Sequence, residues 1–283
     1  MPDEENVMQK RTLSRPIMVI GHNLWGRHAS VTIRPRSEPG IIWITPMGKE
    51  VPIGEATLGY SSLLHCLALT HGSETLRVVE HLLGCCYALG LGSASIVTDP
   101  RGLPHAGTAA RLWHELWPAL LEDGELNRYT PNKIIEIRRG KRLLLFHPDS
   151  QTESLRYEIY VDYGTFGSAR VAGALHQTDL DALFQARPYW RPLHRVISRV
   201  ATQGGWPHQL EHLAVSLEAS AKGERGVVLR EIARHRLLDF LGMLATATPP
   251  GGTIVGHVHM RLAGHKDDLE VRRQLNTVGL YKL

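Results

Sequence analysis

The sequence has no long apolar run. None of its 283 residues belongs to a stretch approaching the ~20 consecutive apolar residues that a helix needs to cross a bilayer. Residues 1–6 are acidic, whereas a signal peptide begins with basic residues. We therefore predict a cytoplasmic protein without a transmembrane segment.

Cysteine is scarce, and neither sign of charge is in large excess. Cys66, Cys85 and Cys86 are odd in number and two are adjacent, which predicts reduced core thiols and excludes a disulfide framework. The 32 lysines and arginines nearly balance the 28 acidic residues. The densest basic run, residues 138–142, contains no aromatic side chain that could stack on a base. We predict a solvated hairpin turn there and no nucleic-acid binding.

What the chain does contain is a repeated order of strands and helices. Its 43% hydrophobic and 21% charged residues are typical of a globular protein, and its length allows one or two domains. Strands are predicted at residues 17–20, 30–35, 41–45, 94–98, 133–137, 142–146, 155–163, 168–175 and 253–260. Helices are predicted at residues 74–89, 109–121, 179–186, 228–244 and after 265. Strands followed by a helix, twice over, predict a duplicated α+β fold.

A polar, turn-rich segment separates the two halves. Residues 122–132 include Gly124 and Pro131, and we predict a domain boundary there. The first α+β domain would span residues 1–125 and the second residues 126–283. A site that uses one helix from each half would lie in the crevice between them.

Five polar residues from distant places are suited to a hydrolytic metal site. A catalytic divalent metal commonly takes three N/O ligands, which His81, His235 and Asp239 supply. His235 and Asp239 are four residues apart, so their side chains share one helix face. Glu80 lies beside the first ligand, where it could take a proton from the attacking water. His265 could protonate a leaving amine, because an unperturbed imidazole titrates near neutral pH.

The apolar surroundings of these residues favour a site over chance. In a chain with 16 histidines, a lone His-x3-Asp pair is more often a capped or surface histidine than a ligand. Residues 74–89 and 228–244 are strongly apolar, however, and polar groups without partners are costly there. From the residues alone, a purely structural role for the five stays open.

Six blocks in order carry a family resemblance: Arg11-Thr12-Leu13, Val31-Thr32-Ile33-Arg34-Pro35, Val79-Glu80-His81-Leu82-Leu83, Arg234-His235-Arg236-Leu237-Leu238-Asp239, Ile254-Val255-Gly256 and Gly264-His265. Over residues 11–275 the chain resembles the UDP-3-O-acyl-N-acetylglucosamine deacetylases, the zinc amidases of the lipid A pathway. The resemblance implies two similar domains, each a β-sheet packed against two helices, with the metal site in the crevice between them.

The resemblance also implies a role for each of the five polar residues. His81, His235 and Asp239 match the metal ligands, with zinc expected and ferrous iron as the alternative. Glu80 matches the general base, and His265 matches the general acid. Hydrolysis of the acetamide would release acetate and leave a free glucosamine amine.

The implied partner is a small molecule, an acylated nucleotide sugar or a related amino-sugar conjugate. Arg236 stands where the family has a lysine after the ligand histidine, and we predict that it binds substrate. Tyr189 and Trp190 could line an acyl or sugar pocket, with core packing as the alternative. We expect a monomer.

Two departures from the family pattern affect the predicted chemistry. Pro188 replaces a threonine whose hydroxyl helps to hold the oxyanion, and proline has neither a hydroxyl nor a backbone N–H. Met243 replaces an aspartate that orients and charges the catalytic histidine, so we expect a lowered pKa for His265. The loss of such partners lowers rates ~10- to 1,000-fold.

Three hypotheses follow, because the five candidate site residues match the family whereas Pro188 and Met243 depart from it. The first is a working, divergent zinc deacetylase, and the second is a catalytically impaired metal-binding paralogue with a binding or regulatory role. The third is a scaffold in which the five residues are only structural. Metal content separates the third from the others, and turnover separates the first from the second.

Overall fold

The computed structural model describes residues 8–23, 27–62, 64–104, 109–189 and 223–283. Trp190, named above for a pocket, lies outside this part of the chain. Within it, no helix combines the length and apolarity that crossing a membrane requires. The fold is α+β, as predicted, with several sheets and few helices.

The described part of the first half contains nine strands and two α-helices. The strands are β1 (Gln9–Leu13), β2 (Ile17–His22), β3 (His28–Arg34), β4 (Gly40–Ile44), β5 (Glu50–Pro52), β6 (Thr57–Ser61), β7 (Cys66–His71), β8 (Glu74–Arg77) and β9 (Ser93–Thr98). The helices are α1 (Val79–Ala88) and α2 (Ala110–Leu116).

The described part of the second half has nine strands and three helices. The strands are β10 (Leu120–Glu125), β11 (Asn127–Pro131), β12 (Ile135–Arg139), β13 (Arg142–His147), β14 (Leu155–Asp162), β15 (Ser168–Ala174), β16 (Gly252–Ile254), β17 (Gly256–Arg261) and β18 (Leu280–Lys282). The helices are α3 (Leu180–Phe184), α4 (Arg225–Ala247) and α5 (His265–Val278).

Two five-stranded sheets share one topology. Their strand orders are β2-β3-β9-β4-β5 and β12-β13-β17-β14-β15. In each sheet two hairpins form the outer pairs, and the last strand enters the middle, antiparallel to one neighbour and parallel to the other. In each half a helix precedes that last strand and another follows it, namely α1 and α2, then α4 and α5. The repeated order predicted from the sequence is therefore present.

The core joins both halves through the contact of α1 with α4. All ten residues of α1 are buried, as is most of α4 from Leu229 onward. Two glycines permit this close contact, because a Cβ on Gly84 would meet Leu238 Cδ1 at 2.9 Å and one on Gly242 would meet Glu80 Cα at 2.7 Å. The contact brings the first turn of α1, which carries His81, against the middle of α4, which carries His235 and Asp239.

Three predicted elements differ from the structure. The helix predicted at residues 109–121 is shorter, because α2 ends at Leu116 and residues 120–121 begin β10. Residues 74–77 are strand β8 rather than the first turn of a helix, and Val78, at φ 62°, changes the chain direction before α1. The segment 122–132, predicted as turns, contains most of β10 and β11. Its polar residues are tolerated in β10 because, among the described strands, β10 pairs only with β1 in a two-stranded sheet and is largely exposed. The predicted hairpin at residues 138–142 is confirmed, because Arg139 pairs with Arg142.

Candidate metal centre and active site

Three buried donor atoms converge where α1 meets α4. His81 Nε2 lies 3.2 Å from His235 Nε2, and Asp239 Oδ1 lies 3.6 Å and 3.4 Å from these two nitrogens. His235 and Asp239 lie on one face of α4, four residues and about one turn apart, as the sequence predicted. All three residues are less than 9% exposed.

The geometry of this triangle fits a divalent metal. Ligand atoms at about 2.0–2.1 Å from a tetrahedral zinc ion lie about 3.3–3.4 Å apart, close to the observed separations. His235 Nδ1 lies 2.9 Å from the carbonyl oxygen of Ala186, which can only accept, so neutral His235 carries its lone pair on Nε2. Asp239 Oδ1 is buried and has no hydrogen-bond partner among the described residues. A cation bound here would satisfy that oxygen.

Glu80 occupies a buried position beside the triangle. It is 3% exposed, and its Oε2 accepts a hydrogen bond from the Leu67 backbone N–H at 3.0 Å. Burial raises the pKa of Glu80 to about 8, and Asp239 adds to the rise while His265 opposes it. A carboxyl with a pKa in this range can exchange a proton near neutral pH, as a general base must.

His265 begins helix α5 and faces two carboxylates. Its Nε2 lies 3.8 Å from Asp239 Oδ2, and its Nδ1 lies 3.4 Å from Asp268 Oδ2. Burial alone would lower the pKa of His265, but Asp239, Asp268 and Glu80 together raise it to about 9. Donor atoms of Glu80, Asp239 and His265 all lie within 4.8 Å of one another. The structure thus brings all five predicted residues together.

The expectation that Met243 leaves His265 with a lowered pKa is wrong. Met243 is fully buried in the apolar core of α4, as its side chain requires. The carboxylate of Asp268, three residues after His265, stands at Nδ1 instead. The sequence contains a signal for this contact, because residues three apart on a helix are neighbours and Asp268 follows His265 by three.

A cleft of about 780 Å³ opens over these residues. The positions predicted to bind substrate, Arg236 and Tyr189, both line it. Tyr189 packs edge-on against Tyr163, with ring centroids 4.7 Å apart. Arg236 is 8% exposed and donates from Nε to the Ala263 carbonyl oxygen at 3.0 Å.

The cleft lining combines two chemistries. The basic lining includes Arg139, Lys141, Arg142 and Lys266 in addition to Arg236, and the apolar lining includes Leu64, Val161, Tyr163, Tyr189 and Ile232. Tyr60 and His65 also line the cleft, and the sequence did not predict them as part of the site. Tyr60 Oη lies 2.7 Å from His65 Nδ1, and the Tyr60 ring centroid lies 6.0 Å from that of His265.

The fold and the site define a class of protein. It is an α+β protein with two five-stranded sheets of the same strand order and a buried His/His/Asp donor set suited to a divalent metal. The family model described as UDP-3-O-acyl N-acetylglycosamine deacetylase matches residues 10–277. The chain belongs to this family. It is similar to a UDP-3-O-acyl-N-acetylglucosamine deacetylase from Nautilia profundicola, with 23% identity over 283 aligned positions that cover 91% of this chain and 88% of the relative. The resemblance stated from the sequence is confirmed.

Proposed function

We propose that this protein is a zinc-dependent deacetylase that removes acetate from the N-acetyl group of an acylated UDP-glucosamine or a related amino-sugar conjugate. Membership of the family supports the reaction class, and the Nautilia relative bears the name of this activity. The observation that carries the proposal is the triangle of His81, His235 and Asp239, with Glu80 and His265 beside it.

In the proposed reaction, His81, His235 and Asp239 hold the metal, with ferrous iron as an alternative to zinc. Bound there, zinc supplies Lewis-acid polarisation of the amide carbonyl. Glu80 takes a proton from the water whose oxygen forms the new bond to the acetyl carbon. Charged His265 donates a proton to the amide nitrogen as the C–N bond breaks, and acetate and a free amine leave.

The cleft offers complementary surfaces for such a substrate. The basic lining matches the phosphates of a nucleotide sugar, and the apolar lining matches an acyl chain. Arg236 lines the cleft, and we propose that it contacts a substrate oxygen. We propose Tyr189 as an apolar contact for the acyl chain. The expectations of a monomer, of no nucleic-acid partner and of a domain boundary at residue 125 stay predictions.

One feature favours the second hypothesis, a metal-binding paralogue with little or no activity. Pro188 lines the cleft, and proline offers neither a hydroxyl nor an N–H to a developing oxyanion. Removal of one oxyanion donor costs roughly 100- to 1,000-fold in kcat. A protein of this kind would bind the nucleotide sugar and zinc without turnover.

Mass-spectrometric detection of deacetylated product from UDP-3-O-acyl-N-acetylglucosamine, incubated with zinc-loaded protein, tests the two functions. We expect product with the native protein and a large loss with His265→Ala at unchanged zinc content. No product from protein that holds zinc stoichiometrically would refute the deacetylase proposal for this substrate. Binding of that substrate to the same protein, measured by calorimetry, would then support the impaired paralogue.

A further inference from the structure

Asp268 is a fully buried carboxylate that contacts both a catalytic candidate and a cation. It is 0% exposed and lies in the first turn of α5. Its Oδ2 is 3.4 Å from His265 Nδ1, and its Oδ1 accepts a hydrogen bond from Arg236 Nη2. A buried charge is costly without a partner, and here the guanidinium of Arg236 provides one.

Arg236 is itself fixed by three neighbours. Its Nε donates to the Ala263 carbonyl oxygen at 3.0 Å, its Nη2 donates to Asp268, and its guanidinium carbon lies 6.0 Å from the centroid of the Phe240 ring. Arg236 directly follows the ligand His235 in α4. The pair therefore ties the helix that carries two metal ligands to the helix that begins with His265.

The two ring nitrogens of His265 face different carboxylates. Asp239 approaches Nε2, on the side of the metal triangle, whereas Asp268 approaches Nδ1. Among the carboxylates that the structure describes, Asp268 alone lies within 4 Å of Nδ1. The two atoms form an ion pair at 3.4 Å rather than a hydrogen bond of good geometry, and the attraction between the charges turns Nδ1 toward Asp268 and Nε2 to the opposite side.

We propose that Asp268, held by Arg236, is the positioning residue of His265 and keeps its Nε2 aimed into the cleft. The catalytic consequence rests on the proposed deacetylase function, but the orientation of the ring does not. Arg236 would act mainly through Asp268, in addition to any contact with substrate.

A purely structural role at the helix N-terminus is the competing explanation, because acidic side chains in a first turn stabilise a helix. Asp267 provides the matched control. It is 1% exposed and adjacent, and its Oδ2 accepts the Gly264 backbone N–H at 2.9 Å. Its nearest cations are Arg139 and Arg142, at 3.8 and 3.9 Å, rather than His265.

Asp268→Asn and Asp267→Asn, both loaded with zinc, form the decisive comparison. We expect Asp268→Asn to lower kcat ~10- to 100-fold, the usual effect of removing such a partner, with KM and zinc content near the native values. Asp267→Asn should keep kcat even if its melting temperature falls. Equal losses of kcat in both variants would overturn the positioning role and leave only helix capping.

Crystal structures of the same two variants test the ring orientation without turnover. In Asp268→Asn we expect the His265 ring to rotate or to occupy two conformers, and in Asp267→Asn we expect Nε2 to stay 3.8 Å from Asp239 Oδ2. An unchanged ring in Asp268→Asn would overturn the proposal. If the native protein proves inactive, this comparison still decides the positioning role, so the two proposals fail separately.

Arg236→Lys changes the other member of the Arg236–Asp268 pair. It is the second variant if Asp268→Asn does not fold. Lysine keeps the charge but lacks the planar fork that bonds Ala263 and Asp268 together. We expect a fall in kcat at nearly unchanged KM. A rise in KM alone would overturn the proposal and assign Arg236 to substrate binding.

Discussion

Gly242 of α4 lies directly against the backbone of Glu80 in α1. A Cβ at residue 242 would come within 2.7 Å of Glu80 Cα, a separation that real side chains do not reach. The two helices therefore approach as closely as their backbones permit. This approach places the donor atoms of His81 and His235 within 3.2 Å of each other.

Gly242→Ala should destabilise the protein and loosen the metal site. The added methyl group forces α1 away from α4, and overpacking of this kind costs about 1–3 kcal/mol, occasionally more. Gly226 is the control in the same helix, because the nearest described atom to a Cβ there would be Arg230 Nη1 at 3.7 Å. Gly226→Ala should be neutral or stabilise by up to about 1 kcal/mol. Melting temperatures and zinc content of the two variants provide the measurement.

His235→Ala should abolish stoichiometric zinc binding. The substitution removes one of three donors and the nitrogen that is oriented by the Ala186 carbonyl. His259→Ala is the control, because His259 is part-exposed on β17, 3.6 Å from Glu158 and outside the triangle. Elemental analysis after gel filtration reports the metal content. Full zinc retention in His235→Ala would show that the triangle is only structural.

Glu80→Gln should keep the metal and lose activity. Glu80 is not part of the His81, His235 and Asp239 triangle, so zinc content should remain native. An amide cannot accept the proton of the attacking water, and loss of a general base costs about 100- to 10,000-fold. The deacetylation rate, measured at saturating substrate, is the readout. Unchanged activity would falsify the role of Glu80 as base.

Without metal, the protein should lose stability as the pH rises. The pKa of Glu80 is raised from 4.5 to about 8 and that of His265 from 6.5 to about 9, so the folded state binds more protons than the unfolded chain across both intervals. Stability falls with pH wherever the folded state binds more protons, and both groups contribute between pH 6.5 and 8. Urea midpoints of chelator-treated protein at pH 6.5 and 8 should show the fall, and Glu80→Gln should reduce it. A midpoint that rises with pH would contradict the assigned shifts.

The sequence predicted the elements whose signals are local. Helix α4 was predicted from its apolar run, and the i, i+4 spacing of His235 and Asp239 predicted a shared face. The start of α1 was not predictable, because Val78 adopts a left-handed conformation that a β-branched residue rarely takes and that no local pattern indicates. Tertiary contacts decide that turn, since the Val78 N–H donates to the Leu67 carbonyl oxygen.

The surroundings of His265 could be predicted only in part. Its role as a general acid was expected from the chemistry of imidazole and from the family resemblance, and its low expected pKa came from the absence of a carboxylate at Met243. The compensating carboxylate of Asp268 follows from helix geometry alone, whereas its cation, Arg236, comes from a different helix. A sequence shows a missing partner readily, but it does not show which of several acids the fold will bring into its place.

The glycines that bring the two repeats together are different from the residues that line the cleft. Equivalent helices α1 and α4 meet through glycines, and that contact depends on backbone shape rather than on the chemistry of the cleft. Side chains at the rim, such as Tyr60 and Pro188, take no part in that contact. Residues at the rim of the cleft can therefore be substituted without disturbing the packing of α1 against α4 beneath them.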